Sequence, residues 1–373
     1  SRGRLIGYPE NLTISPNADT YDERLRLYFV TMTRAKRRLF LTYATSNDNG
    51  KDTLMASFLT GTSLRKIENQ PHETISHLVK QAQISWHDRV TRKPTATMKS
   101  LLAPMLENYK LSATHLNNFI DVSRGGPQGF LMNNLLRFPQ AKSAQAAFGT
   151  AVHATLQKAH THLTVTGERR PTEDILGDFV RELQKQRLDT NDFESFATRG
   201  TDALSKFLNA EYSSFAPGQK SELNFANQNV FVGDAHLTGS LDLVDINENH
   251  IIVTDYKTGK PSRNWKGNGE YEKIKLHKYR QQLMFYQLLC ERSRDFAKLE
   301  FDGAILQFVE PTPNGEIVML DASFSRAELE EFAQLIKAIW RRIIALDLPD
   351  ISNYPATLKG ILQFEQDLLD KND

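Results

Sequence analysis

The run Ile251-Ile252-Val253-Thr254-Asp255-Tyr256-Lys257 ends an apolar strand in two charges. Alternate residues of a strand share a face, so Asp255 and Lys257 project to the same side as Ile251 and Val253. A carboxylate and an ammonium there are costly unless paired, hydrated or bound to metal. Asp242, on the preceding strand of the same hairpin, is placed to approach Asp255 across the ladder. Two carboxylates held together repel, and a divalent cation resolves the repulsion. A Mg²⁺ ion on oxygen ligands polarises a phosphodiester and activates a water for in-line attack. A lysine beside it orients or deprotonates that water, or stabilises charge on the phosphoryl oxygens. By itself, Asp-x-Lys more often marks a surface salt bridge on a hairpin, so the surrounding elements must decide.

Those elements change period along the chain. Leu25, Tyr28, Phe29 and Met32 follow helical spacing, and Leu39-Phe40-Leu41-Thr42-Tyr43 predicts a short buried strand. Asp48-Asn49-Gly50-Lys51-Asp52 reads as a loop. Amphipathic stretches at Leu54–Leu59 and His77–Gln83, split by Gly61, Pro71 and Pro94, predict a linker with one or two helices. Leu111-Ser112-Ala113-Thr114 opens a capped helix through Phe119 and Ile120, which Gly125-Gly126-Pro127 ends. Phe148, Val152 and Leu156 recur every four residues in a helix from Ser143 to His160. Further helices are expected over Asp174–Arg187 and Asp202–Tyr212. From Ser221 to Lys257 the pattern is strands and turns, with Asn247-Glu248-Asn249 turning a hairpin. A helix at Tyr271–Arg292, strands at Phe301–Val309 and Glu316–Asp321, and a helix at Ser325–Leu346 complete a mixed α/β pattern.

Composition narrows the setting. The chain has 373 residues, 40% of them apolar, and one cysteine, Cys290. One cysteine excludes a disulfide framework, a four-thiolate zinc site and a cysteine-ligated iron–sulfur cluster within one chain, and fits a reducing, cytoplasmic setting. No apolar run approaches the roughly 20 residues that span a bilayer, so no membrane association is expected. The start, Ser1-Arg2-Gly3-Arg4, reads as a cut inside a longer parent. A formal net charge of +1 is uninformative about nucleic acid until the charges are placed.

Gly239-Ser240-Leu241-Asp242-Leu243-Val244-Asp245, with Val253-Thr254-Asp255-Tyr256-Lys257-Thr258-Gly259, closely resembles the core of RecB-type nucleases of the PD-(D/E)xK superfamily. Upstream, Gly149-Thr150-Ala151-Val152-His153-Ala154-Thr155-Leu156 resembles that family's helix bearing a metal-binding histidine. Downstream, Gln281-Gln282-Leu283-Met284-Phe285-Tyr286 resembles its Gln-x-x-x-Tyr helix, and Gln282 and Tyr286 share a helical face. The resemblance implies His153, Asp242 and Asp255 as ligands of Mg²⁺ or Mn²⁺, completed by the Tyr256 carbonyl. It makes Lys257 the catalytic lysine, with Gln282 and Tyr286 positioning DNA or supporting the site. Glu222 could add a carboxylate or be a solvated strand end; Asp245 is expected to face away from Asp242. Many relatives carry an iron–sulfur staple, but the matching regions here lack cysteine. A cluster-free branch is therefore expected, its tail held by Ile361, Leu362, Phe364, Leu368 and Leu369.

From the motif onward come Lys257, Lys260, Arg263, Lys266, Lys273, Lys275, Lys278 and Arg280, countered locally only by Glu270 and Glu272 and interleaved with Tyr256, Trp265, Tyr271 and Tyr279. Cations neutralise phosphates and aromatic faces stack on bases, so Lys260, Arg263, Trp265, Lys266, Lys275, Lys278 and Arg280 form a candidate single-strand track; the bland alternative is a solvated loop and basic helix face. Asp22 to Leu39 resembles the last motif of UvrD-like superfamily 1 helicases, in which the arginine matching Arg34 reaches the ATP γ-phosphate. No G-x-x-x-x-G-K-[ST] loop exists in the sequence, so ATP hydrolysis is not expected of this chain. The expected organisation is a helicase remnant at 1–46, a partly helical linker at 47–110, a restriction-endonuclease-like α/β domain at 111–350 with a central mixed sheet flanked by helices, and a packing tail at 351–373. The expected function is a Mg²⁺-dependent deoxyribonuclease, an exonuclease on single-stranded DNA or DNA ends, within an AddA-like helicase–nuclease of DNA repair and recombination. Its expected partners are DNA, the parent's motor domains and a second helicase–nuclease subunit, at a bacterial nucleoid. The alternative is a catalytically silent DNA-binding or subunit-docking module.

Overall fold

The computed structural model describes residues 20–46, 50–59, 61–63, 80–82, 98–138 and 143–370. The chain divides into two units, Ser1–Thr95 and Ala96–Asp373. In the first, helix α1 (Thr20–Thr33) carries the expected spacing, and Tyr28 packs on Phe58 with ring centroids 4.4 Å apart. The expected strand Leu39–Tyr43 does not form. Phe40 is 78% exposed and Tyr43 55%; a strand needs a paired edge, and the only bridge among the described residues here joins Ser46 to Asp52. The stretch Leu54–Leu59 shortens to a single 3-10 turn at Ser57–Leu59. The helix expected at His77–Gln83 falls mostly outside the described residues; 80–82 are helical.

In the second unit, α2 (Met98–Glu107) is followed by α3 (Ala113–Ile120), whose N-cap Ser112 accepts from the His115 N–H. Gly125-Gly126-Pro127 opens a helix rather than only ending one. Gly125, at φ 96°, reverses the chain into α4 (Gly126–Phe130), where proline sits in the first turn and costs no hydrogen bond. A π-helical turn at Leu131–Leu135 follows. Helix α5 (Ala144–Thr166) is capped by Ser143 and runs six residues past the expected end, to the left-handed Gly167. Helix α6 spans Thr172–Lys185. Helix α7 (Thr190–Glu211) begins twelve residues before the expected start, because Asp189 caps it and its polar first half lays Phe193 and Phe196 on the core.

The sheet has the order β1-β4-β5-β6-β7, from β1 (Lys220–Asn224), β4 (Ser240–Asn247), β5 (His250–Lys257), β6 (Glu300–Phe308) and β7 (Met319–Ala322). Only β5 and β6 are parallel, joined through helix α8 (Glu270–Arg292), as a parallel crossover requires. β4 and β5 form the expected hairpin around Glu248 and Asn249, with Glu248 at φ 51°. β2 (Val230–Val232) and β3 (Ala235–Leu237) pair separately. Helix α9 (Arg326–Ala345) begins in a capping box of Ser325 and Glu328. Helix α10 (Leu358–Asp370) packs Ile361, Phe364 and Leu368 into the core, whereas Leu362 is 46% exposed. Leu362 follows Ile361 directly, and a helix turns successive side chains by about 100°.

The sheet separates two apolar cores. Leu241, Ile251, Val253, Leu306 and Phe308 pack with α8, α9 and α10. Leu243, Tyr256 and Val309 pack with α5, α6 and α7. Among the described residues no helix is long and apolar enough to cross a membrane.

Candidate active site

β5 delivers its charges where the core ends. Asp255 is 1% exposed, and its Oδ2 is ion-paired with Lys257 Nζ at 2.6 Å. Its Oδ1 accepts from Gln282 Nε2 at 3.1 Å and from the Tyr286 hydroxyl at 3.1 Å. Gln282 Nε2 also reaches the Tyr286 oxygen at 2.5 Å. Lys257 Nζ donates to Gln282 Oε1 at 2.8 Å and stands 4.4 Å from the centre of the Tyr279 ring. Two strand positions and two helix positions thus close one polar loop, because an i, i+4 pair on α8 faces the i, i+2 pair on β5.

Asp242 occupies a break in the sheet. The β1–β4 register pairs Ser221 with Leu243 and Leu223 with Leu241 but skips Glu222 opposite Asp242. Glu222 has φ 50°, a left-handed backbone that is uncommon outside glycine and that concentrates at functional sites. On the other side, the β4–β5 ladder begins at Leu243 and Thr254, one pair past Asp242. There the Tyr256 N–H donates instead to Asp242 Oδ2 at 2.8 Å. His153, on α5, brings Nδ1 to 3.4 Å from the same oxygen. Glu222 accepts from Ser240 Oγ at 3.1 Å.

Ligand atoms of His153, Glu222 and Asp242 all lie within 4.8 Å of one another. This donor set, one imidazole and two carboxylates, suits a divalent cation. Asp255 itself is outside that cluster, engaged by Lys257, Gln282 and Tyr286. The cluster opens on a cleft of about 490 Å³ lined by Ala146, Gly149, Thr150, His153, Ala154 and Gln157 of α5, with Glu222 opposite.

The electrostatics record carboxylate crowding. Burial, then the charge of Asp242, raises the Glu222 pKa. Burial raises that of Asp255, with Asp242 adding to it and Lys257 opposing. Burial works against the charged forms of His153 and Lys257, yet both are raised, His153 by Asp242 and Lys257 by Asp255. Burial and the Asp255 charge hold the Tyr286 hydroxyl well above its ordinary value. On the opposite face, the Tyr256 side chain hydrogen-bonds His160 Nε2 at 3.1 Å. Burial pulls His160 down to about 4.

A family model described as the PD-(D/E)XK nuclease superfamily matches residues 110–354. The chain belongs to the PD-(D/E)XK nuclease superfamily. That range holds the whole Asp242–Asp255–Lys257 hairpin together with His153, Glu222, Gln282 and Tyr286. No curated protein gives a significant match to the chain.

The structure therefore brings His153, Asp242, Asp255, Lys257, Gln282 and Tyr286 of this nuclease domain together, places Glu222 with the carboxylates rather than at a solvated strand end, and sets the Tyr279 ring beside Lys257. The basic stretch is partly tied into the fold. Lys278 pairs with Asp121 of the loop after α3, and Arg280 pairs with Glu328 of α9 at 2.6 Å. The local acids are occupied elsewhere: Glu272 accepts from Ser262 Oγ and the Asn268 N–H, and Glu270 from the Leu358 N–H. Trp265 is half-buried and donates to the Asp321 carbonyl at 2.9 Å. Lys275 donates to the Lys260 carbonyl and stands over the Tyr279 and Phe308 rings. Lys260, Arg263, Lys266 and Lys273 are exposed, as is Tyr271 at 71%. Asp245 takes a hydrogen bond from Gln219 Nε2. Arg34 lies exposed just past α1 in the first unit.

Proposed function

We propose that this superfamily member is a divalent-metal-dependent deoxyribonuclease acting on single-stranded DNA. The observation that carries the reading is the closed Asp255–Lys257–Gln282–Tyr286 network standing beside the His153–Glu222–Asp242 cluster. His153, Glu222 and Asp242 would hold Mg²⁺ or Mn²⁺, with Asp255 and the Tyr256 carbonyl as the further ligands that the family resemblance implies. When bound, the ion supplies Lewis acidity toward the phosphodiester and lowers the pKa of a water.

The remaining work falls to the chain. Lys257, kept as an ammonium by Asp255, places positive charge against the phosphoryl oxygens as negative charge builds there. Gln282 fixes that ammonium through its Oε1 and holds Asp255 through its Nε2, so one amide sets the spacing of both groups. Tyr286, kept protonated by burial and by Asp255, donates to Oδ1 and leaves Oδ2 turned toward the lysine. Lys260, Arg263, Lys266 and Lys273, with the exposed Tyr271 ring, supply phosphate contacts and a stacking face for an unpaired strand. The finer setting, an exonuclease module of a DNA-repair helicase–nuclease fed by a motor and a second subunit, is supported by the helicase-like run Asp22–Leu39 and Arg34.

The test is degradation of single-stranded DNA with Mg²⁺ or Mn²⁺. Asp255→Ala and Lys257→Ala should each lower kcat by more than about a thousandfold while leaving far-UV circular dichroism unchanged. Cleavage that survives both substitutions would overturn the site. DNA binding without cleavage by the wild-type chain, with and without its full-length context, would favour the silent binding module.

A further inference from the structure

Immediately past Lys257 the chain is held from three directions. The Lys257 carbonyl accepts from the Val309 N–H at 2.9 Å. The Gly259 N–H donates to Glu310 Oε1. Thr258 lies against α5 so closely that a Cβ on Gly149 would meet its Oγ1 at 3.0 Å. Glu310 is 9% exposed and takes a two-pronged contact from Arg199 of α7, Nε to Oε2 at 2.6 Å and Nη2 to Oε1 at 2.8 Å. The third prong of that guanidinium, Nη1, reaches Gln145 Oε1 at 3.2 Å, and its plane lies over the Phe148 and Phe196 rings at 5.2 and 5.6 Å.

Gln145, Gly149 and His153 are spaced by four and share one face of α5. One end of that face is tied to Arg199, the middle presses on Thr258, and the far end carries the imidazole of the metal-binding cluster. We propose that Glu310 is a positioning residue of the nuclease. Through Gly259 and Arg199 it fixes the end of β5, bearing Asp255 and Lys257, against the helix bearing His153. The inference rests on the nuclease reading above. A surface salt bridge would contribute little, but this carboxylate is buried, its fork geometry is met on both oxygens, and one oxygen also receives a backbone N–H two residues past the catalytic lysine. Gly259, at φ 102°, is the left-handed turn that aims this N–H at Glu310.

The test compares Glu310→Ala, Glu310→Gln and Arg199→Lys in the full chain by steady-state cleavage, Mn²⁺ calorimetry and thermal melting. Glu310→Gln keeps an acceptor for Gly259 but loses the charge, whereas Glu310→Ala loses both. Outer partners of a site typically contribute about 10–100-fold, so Glu310→Ala should lower kcat by about tenfold or more and weaken Mn²⁺ binding by a similar factor, with KM little changed. Glu310→Gln, which still loses the ion pair with Arg199, should melt below wild type yet recover kcat to within about threefold of it. Arg199→Lys, which keeps the charge and loses the fork, should fall between them and serves if Glu310→Ala does not fold. Wild-type kcat and Mn²⁺ affinity in these variants would overturn the proposal, as would kcat losses that simply follow the melting temperatures. A wild-type chain that neither binds Mn²⁺ nor cleaves would overturn the nuclease reading and this inference with it.

Discussion

Two clusters of buried charge flank the helix α5, and they are built on opposite rules. On the α6 side, Asp178 is met by Arg170 at 2.5 Å and Arg181 at 2.6 Å. Its neighbour Glu182 is met by Lys158 at 2.5 Å and Lys185 at 2.7 Å. Cations outnumber carboxylates there, and both acids are lowered: for Asp178 burial opposes, but the arginine hydrogen bonds win, and for Glu182 the lysine bonds lead. At the candidate site Glu222, Asp242 and Asp255 face one ammonium and one imidazole, and Glu222 and Asp255 are raised. The first cluster is satisfied as it stands. The second is left short of positive charge, the condition a bound cation relieves, and perturbed groups in a cleft are candidates for function.

The contrast can be broken by substitution. The largest effect should come from Asp242→Asn, which removes the carboxylate that His153, Glu222 and the Tyr256 N–H converge on. Mn²⁺ affinity measured by calorimetry should fall by on the order of 100-fold, with melting of the metal-free protein little changed; undiminished binding would remove Asp242 from the ligand set.

Asp178→Asn should do the reverse. It removes the charge that Arg170 and Arg181 share and one of their two acceptors, and should cost about 1–2 kcal/mol, below the cost for a fully buried pair because the arginines remain partly in water. Cleavage should stay within about twofold of wild type, since no site residue touches Asp178. The pH dependence follows from the sign of the shift. A lowered aspartate contributes stability that is full well above its ordinary value of 3.8 and lost as pH falls below it. The melting difference between wild type and Asp178→Asn should therefore shrink on acidification below that value, and a constant difference would argue against the ion pairs as its source.

The smallest effect, and the sharpest, concerns Glu222. A carboxyl raised in the folded state is destabilising above its folded pKa, and that penalty vanishes below the ordinary glutamate value of 4.5. Glu222→Gln should therefore stabilise the metal-free protein at neutral pH, by about 0.5–1 kcal/mol, while weakening Mn²⁺ binding. Lower metal-free stability together with unchanged Mn²⁺ affinity would show that Glu222 serves only the strand.

Much of the scaffold was legible because it is local. Phe148, Val152 and Leu156 marked α5 through a four-residue recurrence, and Ser112 marked the start of α3 through the capping preference of short hydroxyl side chains. Leu39–Tyr43 misled for the converse reason. An apolar run signals a strand only if a neighbouring edge exists to pair with it, and no such edge borders it among the described residues. In the basic stretch, charge counted along the chain missed the partners that folding brings in. Lys278 and Arg280 are neutralised by Asp121 and Glu328, which lie 157 and 48 positions away.

The amino-acid sequence alone determined the chemical groups and their order: an imidazole on a helix, two carboxylates and a lysine on a hairpin, an amide and a phenol one helical turn apart. Strand alternation and helical periodicity are properties of the backbone, so these groups could be assigned to faces without coordinates. Only the tertiary structure decided that both ladders open at Asp242, that Glu222 turns into the gap, and that Glu310 reaches Gly259 while gripping Arg199 from 111 positions away. Those contacts depend on register and on the packing of segments remote in the chain, and no local period encodes them.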